Sequence, residues 1–140
     1  MIEFIYNTNY KLREEKKVLE WLVFLADKEG FFIKSLQYNY VSKKEMLRIN
    51  KKFLDHNFLT DVITFDYSDK DQLSGEVFIC QEHVESNARD YGESIDNETL
   101  RVISHAFFHL CGYRDRTPDQ KLTMTLKEDE AIAAFQTFPK

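Results

Sequence analysis

A pair of histidines on a predicted helix places the tightest constraint on how this chain can fold. His105 and His109 lie among apolar residues that recur at helical spacing, namely Leu100, Ile103, Phe107 and Leu110. A four-residue gap puts both imidazoles on one face of the helix, about 6 Å apart along its axis. Two neutral imidazoles so placed can bind one metal cation, so the fold has to leave this helix face open.

A third ligand is predicted just beyond this helix. Gly112 follows the apolar pattern, and a glycine past a helix end accepts the left-handed conformation that turns the chain back. The turn brings Asp115 within reach of the imidazoles, whereas the flanking Arg114 and Arg116 are cations and cannot bind a metal. Without the glycine and the carboxylate, two polar residues on a core-facing helix would be the simpler interpretation. Cys111 is a possible back-up ligand, although a small buried side chain is the favoured interpretation.

The same stretch resembles the signature of a known protein family. His-x-x-x-His-Leu-x-Gly-Tyr at 105–113, followed by a ligand ten residues after the first histidine, is similar to the motif of the YbeY family of metal-dependent endoribonucleases. The blocks at 60–65 and 73–79 resemble two strands of that family, and Ile49-Asn50 with Phe53 resembles a third block. All of these blocks occur in the family's order.

Two positions depart from the family pattern. Asp115 stands where the usual form has a third histidine, and Leu54 stands where it has an arginine associated with activity. The resemblance implies a single-strand-specific endoribonuclease for 16S ribosomal RNA maturation and ribosome quality control, with RNA and the small ribosomal subunit as partners. It implies zinc, manganese or another divalent ion, with His105, His109 and Asp115 as its ligands and catalytic residues. His56, near Leu54, is a candidate substitute for the missing cationic or acid-base group.

Two other functions use parts of the same pattern. Metalloproteases with two histidines on a helix place a glutamate directly after the first one as general base, and here that position is Ala106, which argues against a protease. The second alternative is a ribosome-associated binding or assembly factor with a structural metal and little nuclease activity. Leu54 keeps this alternative open, because replacing a guanidinium by an isobutyl group removes a charge and five hydrogen-bond donors.

The overall charge is unusual for a protein that acts on RNA. The net charge is −5 and the pI is near 5.4, whereas phosphate contacts normally come from lysine and arginine. The densest cationic cluster follows a predicted capping box, in which Ser42 and Glu45 satisfy free amides at a helix start. This cluster is the candidate RNA-binding surface, although such a helix face is also typical of plain solvated surface. Its members are Lys43, Lys44, Arg48, Lys51 and Lys52.

The rest of the chain predicts a mixed α/β (α+β) fold in a single domain, 1–140. We expect one mixed sheet of about four strands covered by about five helices, with the metal site at the C-terminal end of the fourth helix. Asp96 is predicted to cap that fourth helix, and Thr117 the last one. The predicted strands are 2–6, 31–41, 60–67 and 75–80, the last two forming an antiparallel hairpin, and the other helices are 11–29, 42–52 and 81–91.

Composition and the absence of long apolar runs indicate the cellular compartment of the protein. The 43% hydrophobic content includes twelve phenylalanines and seven tyrosines, which is typical of a globular chain. No apolar run approaches the roughly 20 residues that span a bilayer, and the first residues lack the basic flank of a signal peptide. Two cysteines suit a reducing compartment. We therefore expect a cytoplasmic protein without a membrane partner.

Overall fold

The computed structural model describes residues 1–55 and 59–139, which form a mixed sheet with helices packed against it. The predicted class, with four strands and five helices in the described residues, is confirmed. The elements in chain order are β1 (Ile2–Tyr6), α1 (Glu15–Glu29), β2 (Phe32–Tyr40), α2 (Lys43–Leu54), β3 (Val62–Asp66), β4 (Gln72–Ile79), α3 (Gln81–Tyr91), α4 (Ile95–Leu110) and α5 (Pro118–Thr137).

The sheet has the strand order β1-β2-β4-β3. β1 pairs with β2 and β2 pairs with β4 in parallel, as expected for strands joined by helical crossovers. β3 pairs antiparallel with β4, which confirms the predicted hairpin and leaves β3 at the sheet edge. β4 begins at Gln72, not at Gly75 as predicted, because its first residues pair with β2 from Phe32 onwards.

Several helix ends differ from the predicted ones. α1 begins at Glu15, after Glu14 takes a left-handed conformation with φ of 54°. α4 is capped by Ser94, whose hydroxyl accepts a hydrogen bond from the Asn97 amide at 3.0 Å, and not by Asp96. Asp96 lies in the first turn instead, where it forms an ion pair with Arg13. The prediction failed because both residues are good caps and only the backbone shows which one precedes the helix.

The two other predicted helix caps both form, but only one of them is a complete capping box. Thr117 and Gln120 form the full reciprocal box at the start of α5. Ser42 caps α2 by accepting from the Glu45 amide at 3.1 Å. The Glu45 carboxylate, however, accepts two hydrogen bonds from Arg48, at 3.0 and 2.6 Å. One member of the cationic cluster is therefore already paired within its own helix.

Hydrophobic clusters of unequal size cover the two faces of the sheet. The large one joins β2 and β4 to α1, α4 and α5, and it includes the fully buried Trp21, Tyr38 and Phe107. The small one packs Met46 and Ile49 of α2 against the other face. The sequence spacing of Leu122, Leu126, Ile132 and Phe135 predicts an apolar stripe on α5. Leu122 and Leu126 are nevertheless exposed, because the buried face of that helix is formed by Met124, Glu128, Ala131, Ile132 and Phe135.

The end of α4 approaches the sheet closely at Gly75. A Cβ atom added there would lie 2.8 Å from Leu110 Cδ2 and 2.8 Å from the carbonyl oxygen of Phe65. A larger residue here would crowd the β3 backbone and would push the Leu110 side chain away. The glycine therefore lets Leu110, the residue after His109, pack directly against the sheet. In the described part of the chain, no helix combines the length and apolar character needed to cross a membrane.

Candidate metal centre

The turn that follows α4 is a Schellman motif. Gly112 has φ of 101°, its amide donates to the carbonyl of His109 at 3.0 Å, and the Tyr113 amide donates to the carbonyl of Phe108 at 3.0 Å. The Tyr113 ring packs edge-on against the Phe108 ring at 5.7 Å, the hydrophobic contact that accompanies this motif. The predicted glycine turn is therefore confirmed, and it directs the chain back over the histidine face.

Beyond this turn, three possible ligand atoms converge on one point. His105 Nε2 lies 3.0 Å from His109 Nε2, and Asp115 Oδ2 lies 3.3 Å from the first and 3.5 Å from the second. In a tetrahedral zinc site with bonds of about 2.0–2.1 Å, ligand atoms lie about 3.3–3.4 Å apart. This triangle thus matches the spacing needed by one small divalent ion, and these residues form a possible metal site.

The second nitrogen of each imidazole has its own partner. His109 Nδ1 lies 2.9 Å from the carbonyl oxygen of Tyr113, which can only accept, so this nitrogen carries the proton. His105 Nδ1 lies 2.5 Å from the Glu128 carboxylate, which also accepts. In the neutral state, both Nε2 atoms then direct lone pairs at the same point as the Asp115 oxygen. Such a donor set attracts a cation, and orienting partners of this kind are typical of metal-binding histidines.

Glu128 is a buried carboxylate that serves two partners. It is 5% exposed, and it accepts from Arg101 at 3.1 Å as well as contacting His105. Burial lowers the pKa of His105, but the hydrogen bond and the negative charge of Glu128 outweigh it, so the pKa lies above its ordinary value. Our sequence analysis missed Glu128. A charged residue on the apolar stripe of α5 was the available signal, because a buried charge requires a partner.

A second contact from α5 supports the turn. Lys127 donates to Glu29 at 2.7 Å, and the Tyr113 hydroxyl donates to the same carboxylate at 2.8 Å. The Lys127 ammonium also lies over the Tyr113 ring, 5.4 Å from its centroid. These contacts hold the residue whose carbonyl orients His109. Adjacent residues of α5, Lys127 and Glu128, therefore support both imidazoles.

The three converging side chains open into a cavity of about 640 Å³. One wall consists of α4 and its turn, including Arg114, and the other consists of β3 with Leu54 from the end of α2. The side chains of His105, His109 and Asp115 are 26%, 29% and 40% exposed, so solvent and substrate can reach them. Leu54, the position of the family's arginine, therefore lies in this pocket and presents no charge to it.

The remaining predicted site residues lie in different places. Cys111 lies outside the ligand group in the described residues, and burial raises the pKa of its thiol to about 12, which disfavours the thiolate that a metal needs. Ala106 is fully buried in the core, so a packed methyl group occupies the position of a protease's glutamate. His56 lies outside the described residues. The five cationic residues Lys43, Lys44, Arg48, Lys51 and Lys52 all lie exposed on α2.

The fold and the converging side chains together define a mixed α/β protein with an open site of two histidines and a carboxylate. The sequence model of the family described as endoribonuclease YbeY matches residues 4–136. The chain is 36% identical to the endoribonuclease YbeY of Flavobacterium johnsoniae, over 96% of this chain and 97% of the relative. It is 38% identical to that of Chlorobaculum tepidum, over 91% and 93%.

A solved structure agrees with these relatives. The solution structure of a Thermotoga maritima protein matches with a TM-score of 0.71 and 26% sequence identity, and the match covers 96% of this chain and 89% of the other. The chain belongs to the YbeY family of endoribonucleases. The resemblance inferred from the histidine motif is thereby confirmed.

Proposed function

We propose that this chain is a single-domain, metal-dependent endoribonuclease specific for single-stranded RNA. In this proposal it acts in the cytoplasm on 16S ribosomal RNA, in maturation and ribosome quality control, with the small ribosomal subunit as partner. The observation that carries the proposal is the triangle of ligand atoms, with sides of 3.0–3.5 Å, at the base of an open pocket. His105, His109 and Asp115 are the proposed ligands of zinc, manganese or another divalent ion.

The proposed chemistry divides between the ion and the residues around it. A divalent ion bound here supplies a Lewis acid that activates water and polarises a phosphoryl oxygen. Glu128 accepts a hydrogen bond from His105 Nδ1 and keeps that ring turned so that Nε2 faces the pocket. The carbonyl of Tyr113 does the same for His109. Fixed rings cost no reorganisation when substrate arrives, which is how a preorganised site accelerates a reaction.

The cationic face of α2 is the proposed path of the RNA strand. Lys44, Arg48 and Lys51 follow one another at helical spacing along one side of the helix. Leu54 comes about one turn after Lys51 and lines the pocket. Phosphates neutralised along this row would therefore lead a strand towards the ligand atoms. Lys43 and Lys52 flank the row and complete the proposed RNA-binding surface.

The second candidate function is a ribosome-associated assembly factor with a structural metal. The position of Leu54 in the pocket favours it, because an apolar side chain there cannot stabilise the charge that develops on a phosphoryl group. In this alternative the ligand triangle fixes the turn after α4 and cleavage is slow. RNA binding by α2 is common to both candidates, so only a cleavage measurement separates them.

The test is cleavage of a single-stranded RNA by protein loaded with zinc or manganese. The parent is compared with His109→Ala, and the same RNA annealed into a duplex serves as substrate control. We expect cleavage of the single strand by the parent, loss of cleavage in His109→Ala, and about one ion per chain. Equal cleavage by parent and variant would assign the activity to a contaminant and favour the assembly factor.

A further inference from the structure

We propose that Arg114 binds the scissile phosphate at the metal centre. Its positive charge would also complete the charge balance of the pocket. This inference deepens the proposed function and rests on it. Among the described residues that line the pocket, Arg114 carries the only fixed positive charge. It immediately precedes Asp115 on the turn after α4, so the side chain starts next to a ligand position.

The guanidinium of Arg114 is available for a ligand. The side chain is exposed, and no hydrogen bond or ion pair ties it to any other described residue. Arg101 shows the opposite arrangement on the neighbouring helix, where it is committed to Glu128 and Asp129. A planar guanidinium matches two phosphate oxygens at once, which makes a free arginine beside a phosphodiesterase site well suited to the substrate.

The charges on the pocket walls explain why a cation is required. Asp61, Asp66 and Asp115 place three carboxylates around the cavity. A divalent ion offsets two of these charges, and Arg114 offsets the third. A phosphodiester is itself an anion, so it meets a neutral pocket only when both the ion and the guanidinium are present. Leu54, on the opposite wall, contributes nothing to this balance.

The experiment compares Arg114→Ala and Arg114→Lys with Arg116→Ala, a nearby exposed arginine that does not line the pocket. It measures single-strand cleavage, binding of a hydrolysis-resistant phosphorothioate RNA that keeps one negative charge per linkage, and zinc affinity by titration calorimetry. We expect Arg114→Ala to lower kcat/KM about 10- to 100-fold and to weaken RNA binding, with Arg114→Lys between it and the parent. Zinc affinity should stay within about threefold of the parent, because no ligand is removed.

A rescue variant tests whether the charge itself matters. Leu54 lines the same cavity and is 41% exposed, so Leu54→Arg can place a guanidinium on the opposite wall without disturbing the core. We expect Leu54→Arg in the Arg114→Ala background to recover much of the lost kcat/KM. A loss in Arg114→Ala that neither Arg114→Lys nor Leu54→Arg reduces would overturn the charge role.

The measurements separate this inference from the proposed function. If the parent cleaves RNA and Arg114→Ala matches Arg116→Ala in both cleavage and binding, the inference is wrong and the proposed function stands. If the parent does not cleave, the proposed function is wrong, and the binding of the phosphorothioate RNA still decides the phosphate contact. In that case a binding loss confined to Arg114→Ala supports the contact, and equal binding by all variants rejects it.

Discussion

Helices α4 and α2 flank the same pocket but are held in place very differently. α4 has sixteen residues, of which ten are buried, and its two imidazoles are hydrogen-bonded to groups outside the helix. α2 has twelve residues, of which three are buried, and its cations extend into solvent. The difference separates two tasks. In the proposed function, the imidazoles that have to be placed within a few tenths of an ångström lie on the packed helix, and the cations that would attract a flexible RNA strand lie on the exposed one.

The largest expected effect is on stability, and it tests how strongly each helix is packed. Phe107→Ala should lower the free energy of unfolding by about 3–5 kcal/mol, because the ring is fully buried in the large cluster. Leu47→Ala on α2 should change it by at most about 0.5 kcal/mol, since that side chain is 39% exposed. Urea unfolding of both variants provides the measurement. Equal losses would show that α2 is packed as firmly as α4.

Next in size is the loss of a proposed ligand. Asp115→Ala should lower zinc affinity by at least about 100-fold, because losing even an orienting partner of a ligand costs 10- to 100-fold. Asp115→His should retain zinc and shift the preference away from manganese, because imidazole is a softer donor than carboxylate. Titration calorimetry with both ions measures this. An Asp115→Ala affinity within about threefold of the parent would exclude Asp115 as a ligand.

A smaller loss is expected from the buried partner of His105. Glu128→Ala should weaken zinc binding by about 10- to 100-fold, and Glu128→Gln by less, because the amide oxygen can still accept from Nδ1. Asp129→Asn is the matched control, since Asp129 pairs with the same Arg101 without contacting the imidazole. Nitrogen chemical shifts of His105 report which ring nitrogen carries the proton. An unchanged affinity and tautomer in Glu128→Ala would contradict the orienting role.

Reversing the charges on α2 should weaken RNA binding and leave the metal site unchanged. The triple variant Lys44→Glu, Arg48→Glu and Lys51→Glu is expected to weaken RNA binding about 10-fold and to reduce the salt slope by about 2, at about 0.7 per lost phosphate contact. Zinc affinity should not change. The control variant reverses three exposed lysines elsewhere and changes net charge equally; these are Lys16, Lys34 and Lys121. Equal losses in both variants would show that only net charge matters.

The smallest effect concerns two glutamates with opposite pKa shifts. Burial raises the pKa of Glu98 on α4, whereas the hydrogen bond from Arg48 lowers that of Glu45 on α2. The stability linked to Glu98 is present at low pH and is lost as pH rises through its raised pKa, so Glu98→Gln should stabilise the protein near pH 7 by up to about 1 kcal/mol.

The same reasoning with the opposite sign applies to Glu45. Its contribution is present above the pKa of the unfolded chain and is lost as pH falls through the lowered pKa, so Glu45→Gln should destabilise slightly near pH 7 and not at all in acid. Urea unfolding of both variants between pH 3 and pH 7 tests the pair. Solvent screens the exposed Glu45–Arg48 contact, so its effect should stay below about 0.5 kcal/mol. A destabilised Glu98→Gln at pH 7 would contradict the assigned cost of burial.

Local signals made part of this structure predictable. The spacing of His105 and His109 and the glycine turn after them involve residues within one or two helical turns, so the backbone alone brings the groups together. The structure also places Asp115 beside the pair. Their role as ligands stays a proposal. The motif was sufficient to predict the family, because its fixed residue spacing follows from the geometry of the helix and of the glycine turn after it.

Contacts between distant parts of the chain were not predictable in the same way. Glu128 meets His105 only because α5 crosses α4 at that point, and no local pattern sets the rotation of one helix against another. The same rotation turns Leu122 and Leu126 of α5 to solvent, although their spacing suggested a buried stripe. The choice of Ser94 over Asp96 as the cap also depended on how the preceding turn approaches α4.

The support that α5 gives to the imidazoles also makes the site depend on when α5 is synthesised and docks. The ribosome makes a chain from its N-terminus, so α5 is the last helix to be made and to become free to dock. Until α5 docks, His105 has no Glu128, and Tyr113 has no Lys127. A chain whose α5 has not docked therefore lacks the orienting partner of His105 and the support of the residue whose carbonyl orients His109. In the proposed function, full metal affinity and RNA cleavage are therefore reached only after α5 has docked.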